Sequence, residues 1–281
     1  MWLKSVLRSL LLSCLVLALL TETPLANGAG PEKKQFEPTP GQSGKDVIWL
    51  PTAQTVVDTM LDLAKVTSDD FVIDLGSGDG RTVIAAAKRG ARALGIEYEP
   101  AMVEFSRRRA EQEGVSDKAQ FMKADLFESD FSQATVITMF LLPTINLQLR
   151  PKILDLKPGT RVASNSFDMG DWTPDESVPV SGNCQTYCTA HFWLVPAKVA
   201  GKWQTPQGEF RLDQKYQMVS GTLRNGESTT PLTDGKLKGE EITFTAGGTT
   251  HRGRVAGDTI EGVSVTGANE TPWRATRATR G

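Results

Sequence analysis

The spacing of apolar residues divides the chain into three stretches of different character. Lys4 and Arg8 precede an uncharged apolar run from Ser9 to Leu20, and small residues follow at Ala26, Gly28 and Ala29. That order is the pattern of a cleavable secretory signal over residues 1–29. The run is short for a membrane span, which needs about 20 apolar residues. If uncleaved, it would anchor the chain by its N-terminus. Residues 30–45 are rich in Pro, Gly, Lys, Glu and Gln and are expected to form a linker. From Asp46 the periodicity alternates between helix and strand. Thr52 is placed to cap a helix in which Val56, Val57, Met60 and Ala64 share a face. Short apolar strands are predicted at Phe71–Leu75, Ala93–Ile96, Ala119–Met122, Thr135–Leu141 and Arg161–Ser166. Between them lie a helix over Thr82–Lys88 closed by Gly90, one from Pro100 to Gly114, and one over Thr144–Leu156 interrupted at Pro151. Two late strands, Val178–Val180 and Tyr187–Val195, have no helix between them and are expected to end the sheet as an antiparallel hairpin. The fold class is therefore α/β over residues 46–198, a doubly wound, mostly parallel, seven-stranded sheet of Rossmann-like type.

The helical period stops near Ala200. Thirteen of the chain's 26 glycines fall at or after Gly201, and the apolar positions alternate in short runs. Asn225-Gly226, Asp234-Gly235 and Gly247-Gly248 are hairpin-turn signals. Gly221, Gly239 and Gly257 recur at 18-residue spacing, and Trp203 and Trp273 can plug a small core. Residues 199–281 are expected to form a separate antiparallel β meander or partial barrel.

Charge and composition narrow the partners. The formal net charge is −2, with 39% hydrophobic and 23% charged residues, so no global field draws the chain to nucleic acid. Arg107, Arg108 and Arg109 make the densest basic run and are expected on a solvated helix face. Beyond the leading segment only Cys184 and Cys188 remain. They are too few for a closed zinc site, so no metal is expected, and in an oxidising compartment they can form a disulfide.

The candidate chemistry lies in Asp74-Leu75-Gly76-Ser77-Gly78-Asp79-Gly80-Arg81, which follows a strand and opens a helix. Glycines there permit a tight turn and close approach of a ligand. The spacing G-x-G-x-G differs from the G-x-G-x-x-G of dinucleotide binders. Asp74 and Asp79 would repel a pyrophosphate from a helix start that otherwise favours anions. A phosphate-free cationic nucleoside such as S-adenosylmethionine (SAM) suits them. Glu97, 21 residues after Gly76, ends the second strand, where an acid can accept from both ribose hydroxyls. Asp125 follows the third strand and can accept from an adenine amino group. The expected cofactor-binding set is Asp74, Gly76, Ser77, Gly78, Asp79, Gly80, Glu97 and Asp125.

Together with that loop, Leu50-Pro51-Thr52, Val57, Met60-Leu61, Gly95-Ile96-Glu97, Asp125-Leu126-Phe127, Phe140-Leu141-Leu142-Pro143 and Pro158-Gly159-Thr160-Arg161-Val162 resemble a family of small class I SAM-dependent lysine methyltransferases. Its best-known members modify the ATP synthase c subunit and the mitochondrial adenine nucleotide carrier. The resemblance spans about residues 48–168. It implies SAM as cofactor and a protein lysine as acceptor, with Pro51 and Thr52 bordering the substrate and Phe140, Leu142 and Pro143 aligning the acceptor. A Tyr commonly stands in that family where Phe140 stands here.

Methyl transfer mainly requires alignment of nucleophile, methyl and sulfur. Carbonyls near Leu142 and a carboxylate such as Asp79 are candidates to orient the amine. His191 is expected to be packed in a strand, and His251 lies in the tail with no partner suggested. The leading segment implies an exported or periplasmic protein near a membrane. SAM is made in the cytosol, and this keeps two other readings open: an exported small-molecule or lipid methyltransferase, and a non-catalytic nucleoside- or partner-binding module.

Overall fold

A computed structural model of the protein describes residues 35–278. The expected signal segment lies outside the described residues. Among the described residues no helix is long and apolar enough to cross a membrane.

Eleven elements build the first layer system. They are α1 (Gln54–Leu63), β1 (Phe71–Leu75), α2 (Arg81–Lys88), β2 (Arg92–Glu97), α3 (Pro100–Gln112), β3 (Ala119–Lys123), β4 (Val136–Met139), α4 (Pro143–Leu154), β5 (Arg161–Asn165), β6 (Glu176–Pro179) and β7 (Thr189–Leu194). The strands form one sheet in the order β3-β2-β1-β4-β5-β7-β6. The first five run parallel, and β7 is antiparallel to both β5 and β6. β1 and β4 are almost wholly buried, as strands covered on both faces must be, and this explains their unbroken apolar character. One core cluster joins Ile73, Ile137, Leu149 and Trp193; another joins Val57, Val72, Val83 and Phe121.

Three local expectations are corrected. Ala53, not Thr52, occupies the cap position of α1, and no side chain caps that helix. The Thr52 hydroxyl instead accepts from Asn165 Nδ2 at 3.3 Å. α4 runs through Pro151 without interruption. Proline removes one N–H from the helix ladder, and here Pro151 and Leu147, four residues earlier, both face solvent, where water can satisfy the orphaned carbonyl. The segment expected as a linker is folded from Phe36 onward: Gly41 N donates to Trp49 O at 2.8 Å, Ser43 bridges Ile48, and Phe36 packs edge-on against Phe105 of α3.

The second body comprises β8 (Gly201–Thr205), β9 (Gly208–Lys215), β10 (Met218–Asn225), β11 (Ser228–Lys238), β12 (Glu241–Ala246), β13 (Thr249–Ala256), β14 (Thr259–Thr266) and β15 (Asn269–Arg277). Each strand pairs antiparallel with the next, and β15 returns to β8 through Thr276–Gln204 and Arg277–Trp203. The barrel is closed where a meander or partial barrel was expected. Closure depends on pairing the first strand with the last, which a local turn pattern cannot reveal. Asp234-Gly235 is not a hairpin turn. It is a bulge inside β11, where the register shifts and Asp234 adopts φ 54°. Trp203, Phe210, Phe244 and Trp273 fill the interior. His251 stacks on Phe244 with centroids 5.0 Å apart and meets Ser264 Oγ at 2.9 Å. Burial holds its pKa below the usual histidine value.

Asp171 ties barrel to sheet. It pairs with Arg150 of α4 at 2.6 Å and Lys215 of β9 at 3.1 Å, and accepts from Tyr216 Oη at 2.8 Å. These three donors, Tyr216 first, hold its carboxyl well below the ordinary range. Tyr216 in turn stacks on Trp172.

Candidate functional site

A cleft opens at the C-terminal ends of β1, β2, β4 and β5, where ligands of such sheets bind. The loop from β1 to α2 forms its floor. Gly76 N and Ser77 N both donate to Ile96 O, at 2.9 and 3.0 Å, which bends the chain over the end of β2. Gly78 has φ 52°, and a Cβ added there would lie 2.5 Å from Trp49 Nε1. Gly80, at φ 79°, caps α2 against Phe121 and Ser106 and does not line the cleft as expected. Ser77 does line it, but its hydroxyl turns inward toward Gly95 and has no partner among the described residues.

The four acids occupy different electrostatic environments. Asp74 is fully buried on β1 and accepts from Thr138 Oγ1 at 2.6 Å. Burial, helped by the nearby Glu97 and Asp79, pushes its pKa up to about 7 despite that hydrogen bond. Asp79 is not a free carboxylate able to orient an amine. Arg81 grips it through Nε and Nη2 at 3.0 and 2.7 Å, and Arg109 Nη1 reaches it at 2.8 Å. Arg81 Nη1 also donates to Thr52 O at 2.6 Å, tying the loop to the start of α1. Glu97 accepts from Gly78 N at 2.8 Å and Glu99 N at 3.0 Å, so its carboxylate is fixed at the loop. Asp125 accepts from Phe127 N at 2.9 Å and Lys45 Nζ at 2.6 Å. The lysine bond, then the backbone one, hold its pKa below the usual range. The oxygens of Glu97 and Asp125 each accept one bond and retain a further lone pair for a ligand, whereas those of Asp79 are filled by Arg81 and Arg109.

Toward β4 and β5 the cleft is lined by Pro51, Thr52, Phe140 and Leu142, and by Leu141, Phe167 and Tyr187, while Trp49 covers the glycine loop at Gly78. Pro143 is exposed at the start of α4 and lies outside the lining. The Leu142 carbonyl, a candidate to orient the amine, already accepts from Ile145 N and Asn146 N at 2.9 and 3.0 Å as the start of the α4 ladder. Cys184 and Cys188 are joined by a disulfide beside this end, with Cα atoms 5.8 Å apart. His191 is held between Ser177 Oγ at 2.8 Å and Ser166 O at 3.3 Å, away from the cleft lining.

Several residues that build or brace the cleft carry no signal in the sequence. Lys45 and Trp49 fall in or beside the stretch dismissed as a linker. Arg109 belongs to a basic run dismissed as solvated. Phe167 and Tyr187 are remote in sequence from any motif.

A family model described as the ANTKMT methyltransferase domain matches residues 74–176. A protein-lysine N-methyltransferase of Saccharolobus islandicus is 44% identical over 137 residues, which are 48% of this chain and 85% of that relative. The chain belongs to the ANTKMT methyltransferase family. As a member, it is a SAM-dependent methyltransferase. The human lysine N-methyltransferase of the ATP synthase c subunit is 45% identical over 105 residues, but the match spans only 45% of that protein's length. A solved Salinibacter ruber protein, described as an RNA methyltransferase in complex with S-adenosylhomocysteine, is 47% identical, with a TM-score of 0.50 over 53% of this chain and 96% of its own. The family match ends before β7 and the barrel begin.

The residues of the cleft suit the cofactor. Glu97 and Asp125 stand where hydroxyl and amino donors would be accepted, and Tyr98, Met102 and Leu126 supply apolar walls. Asp74, costly to ionise where it stands, is the group a neighbouring cation would relieve.

Proposed function

We propose that the protein transfers a methyl group from SAM to the side-chain amine of a lysine in a protein acceptor. SAM would supply a methyl carbon activated by its sulfonium: the lysine ammonium would first lose a proton to solvent, and the neutral nitrogen would then bond to that carbon as the carbon–sulfur bond breaks, leaving S-adenosylhomocysteine and a methylated, cationic amine. The chain's own residues act by positioning. Glu97, fixed by two backbone N–H groups, holds the ribose end. Asp74 offers a compensating negative charge beneath the loop. Pro51, Thr52, Phe140 and Leu142 shape the opening through which the acceptor enters. The observation that carries the reading is the combination of this opening with 44% identity to a protein-lysine N-methyltransferase over most of that relative's length. The net charge of −2 favours a protein acceptor over RNA. The disulfide and the leading Lys4-to-Leu20 pattern support export to an oxidising compartment as part of this proposal.

The test is incubation of the purified protein with isotopically labelled SAM and a membrane-protein extract, followed by mapping of the label by mass spectrometry. Label on lysine nitrogen is expected, and Glu97→Ala should abolish both the label and SAM binding by calorimetry while leaving the melting temperature within a few degrees. Label on RNA or lipid alone would overturn the reading.

A further inference from the structure

Three aromatic rings converge at the end of the cleft remote from Glu97 and Asp125. Phe140 follows β4, Phe167 follows β5, and Tyr187 sits on the loop between β6 and β7. Phe140 and Phe167 lie nearly parallel, at 16° and 5.9 Å between centroids. Tyr187 leans over both, at 5.3 Å and 60° to Phe140 and at 5.5 Å and 55° to Phe167. A triangle with these sides is small enough that one cation seated above it lies within about 6 Å of all three centroids, and the contact is attractive to each ring whose face it meets.

The arrangement is braced and strained. Tyr187 is 41% exposed and has φ 59°, a left-handed conformation uncommon for a bulky side chain. Ser166, beside Phe167, has φ 56°. The two loops are joined by Ser166 N donating to Thr189 O at 2.7 Å. The Phe167 carbonyl accepts from Ser164 Oγ at 2.7 Å. The Cys184–Cys188 disulfide closes the short loop that carries Tyr187 and limits how far the ring can leave. An exposed aromatic ring, in a costly backbone conformation and braced by a crosslink, points to a functional role at that position.

We propose that Phe140, Phe167 and Tyr187 form a seat for the alkylammonium group of the acceptor, with the disulfide-closed loop holding Tyr187 in place. The inference rests on the lysine reading above and adds the residues that select a cationic chain. The matched family model ends at residue 176, before Tyr187 and its loop. The acceptor's aliphatic stem lies along the rings, and its charge is recognised on arrival. Because methylated lysine remains cationic, the seat also holds the product, and product should compete with acceptor.

The full-length protein saturated with S-adenosylhomocysteine is titrated with choline and with its uncharged isostere 3,3-dimethylbutan-1-ol, followed by NMR. Wild type is expected to prefer choline by about fivefold, in line with an exposed cation–π site. Tyr187→Ala should lose most of that preference, Tyr187→Phe should keep it, and Cys184→Ser with Cys188→Ser should weaken it, all with unchanged affinity for S-adenosylhomocysteine. With a lysine peptide, Tyr187→Ala should raise KM and leave kcat nearly intact. Equal binding of the two probes by wild type, no binding of choline, or a choline preference that survives Tyr187→Ala would overturn the seat. A protein that prefers choline but labels no lysine retains the seat and loses the lysine reading.

Discussion

Asp74 shows how one buried carboxylate can set a pH dependence. Its pKa rises from 3.8 in the unfolded chain to about 7 in the fold, with desolvation as the main cause. The native state therefore keeps a proton that the unfolded state releases. Stability from this group is full below about pH 4 and declines as pH rises through 7, the opposite of a salt-bridged acid. Asp74→Asn should flatten the fall in melting temperature between pH 4 and 7, measured without cofactor against wild type; parallel curves would show that Asp74 ionises freely. That Asp74 would be an acid at the glycine loop was legible from Asp74 to Gly80 in the sequence. That it would be the costly acid, and Asp79 the neutralised one, was not. Arg81 lies two residues from Asp79, but Arg109 reaches it from α3, and no spacing rule links positions thirty residues apart.

At the scale of elements, the segment before α1 departed furthest from expectation. Its Pro, Gly and Lys content matches a linker, yet Lys45 reaches Asp125 and lies over the Tyr98 ring at 4.8 Å. Composition reports what a segment can bury on its own, and this one gains its order from the wall it packs against. Lys45→Met should raise the Asp125 pKa toward the ordinary carboxylate range, with the Phe127 N–H bond still holding it partly down, read by NMR titration. The sign is that of a depressed acid: wild type holds a stabilising contribution above about pH 4 that is lost as pH falls through the native pKa, and Lys45→Met keeps only the part that Phe127 N–H supplies. An unchanged Asp125 titration would mean that Phe127 N–H alone sets its value. The alternating strands and helices were legible because most periodic runs end in a Gly or Pro signal, as at Gly76, Gly90, Gly114, Pro143 and Pro158-Gly159. The parallel order of the sheet followed from helices between strands, and the antiparallel end from their absence.

On the scale of the whole molecule, two cores are stitched by polar contacts around Asp171. Trp203 is completely buried in the barrel, and Trp203→Ala should cost about 3–5 kcal/mol in barrel stability. SAM affinity should stay within twofold, because no barrel residue lines the cleft. A large loss of affinity in calorimetry would show that the two bodies act as one. The glycines and alternation announced an all-β tail, but closure is a property of residues seventy positions apart, from Gln204 to Thr276, and is invisible to any local pattern. The join of β15 to β8 also restricts how the barrel can meet other molecules. Every strand there has neighbours on both sides for at least part of its length, and this leaves a partner little free edge along which to lay its own backbone. Whatever engages this half of the protein must be chosen by side chains and hairpin tips, the parts of the barrel where substitutions can vary recognition without disturbing the fold.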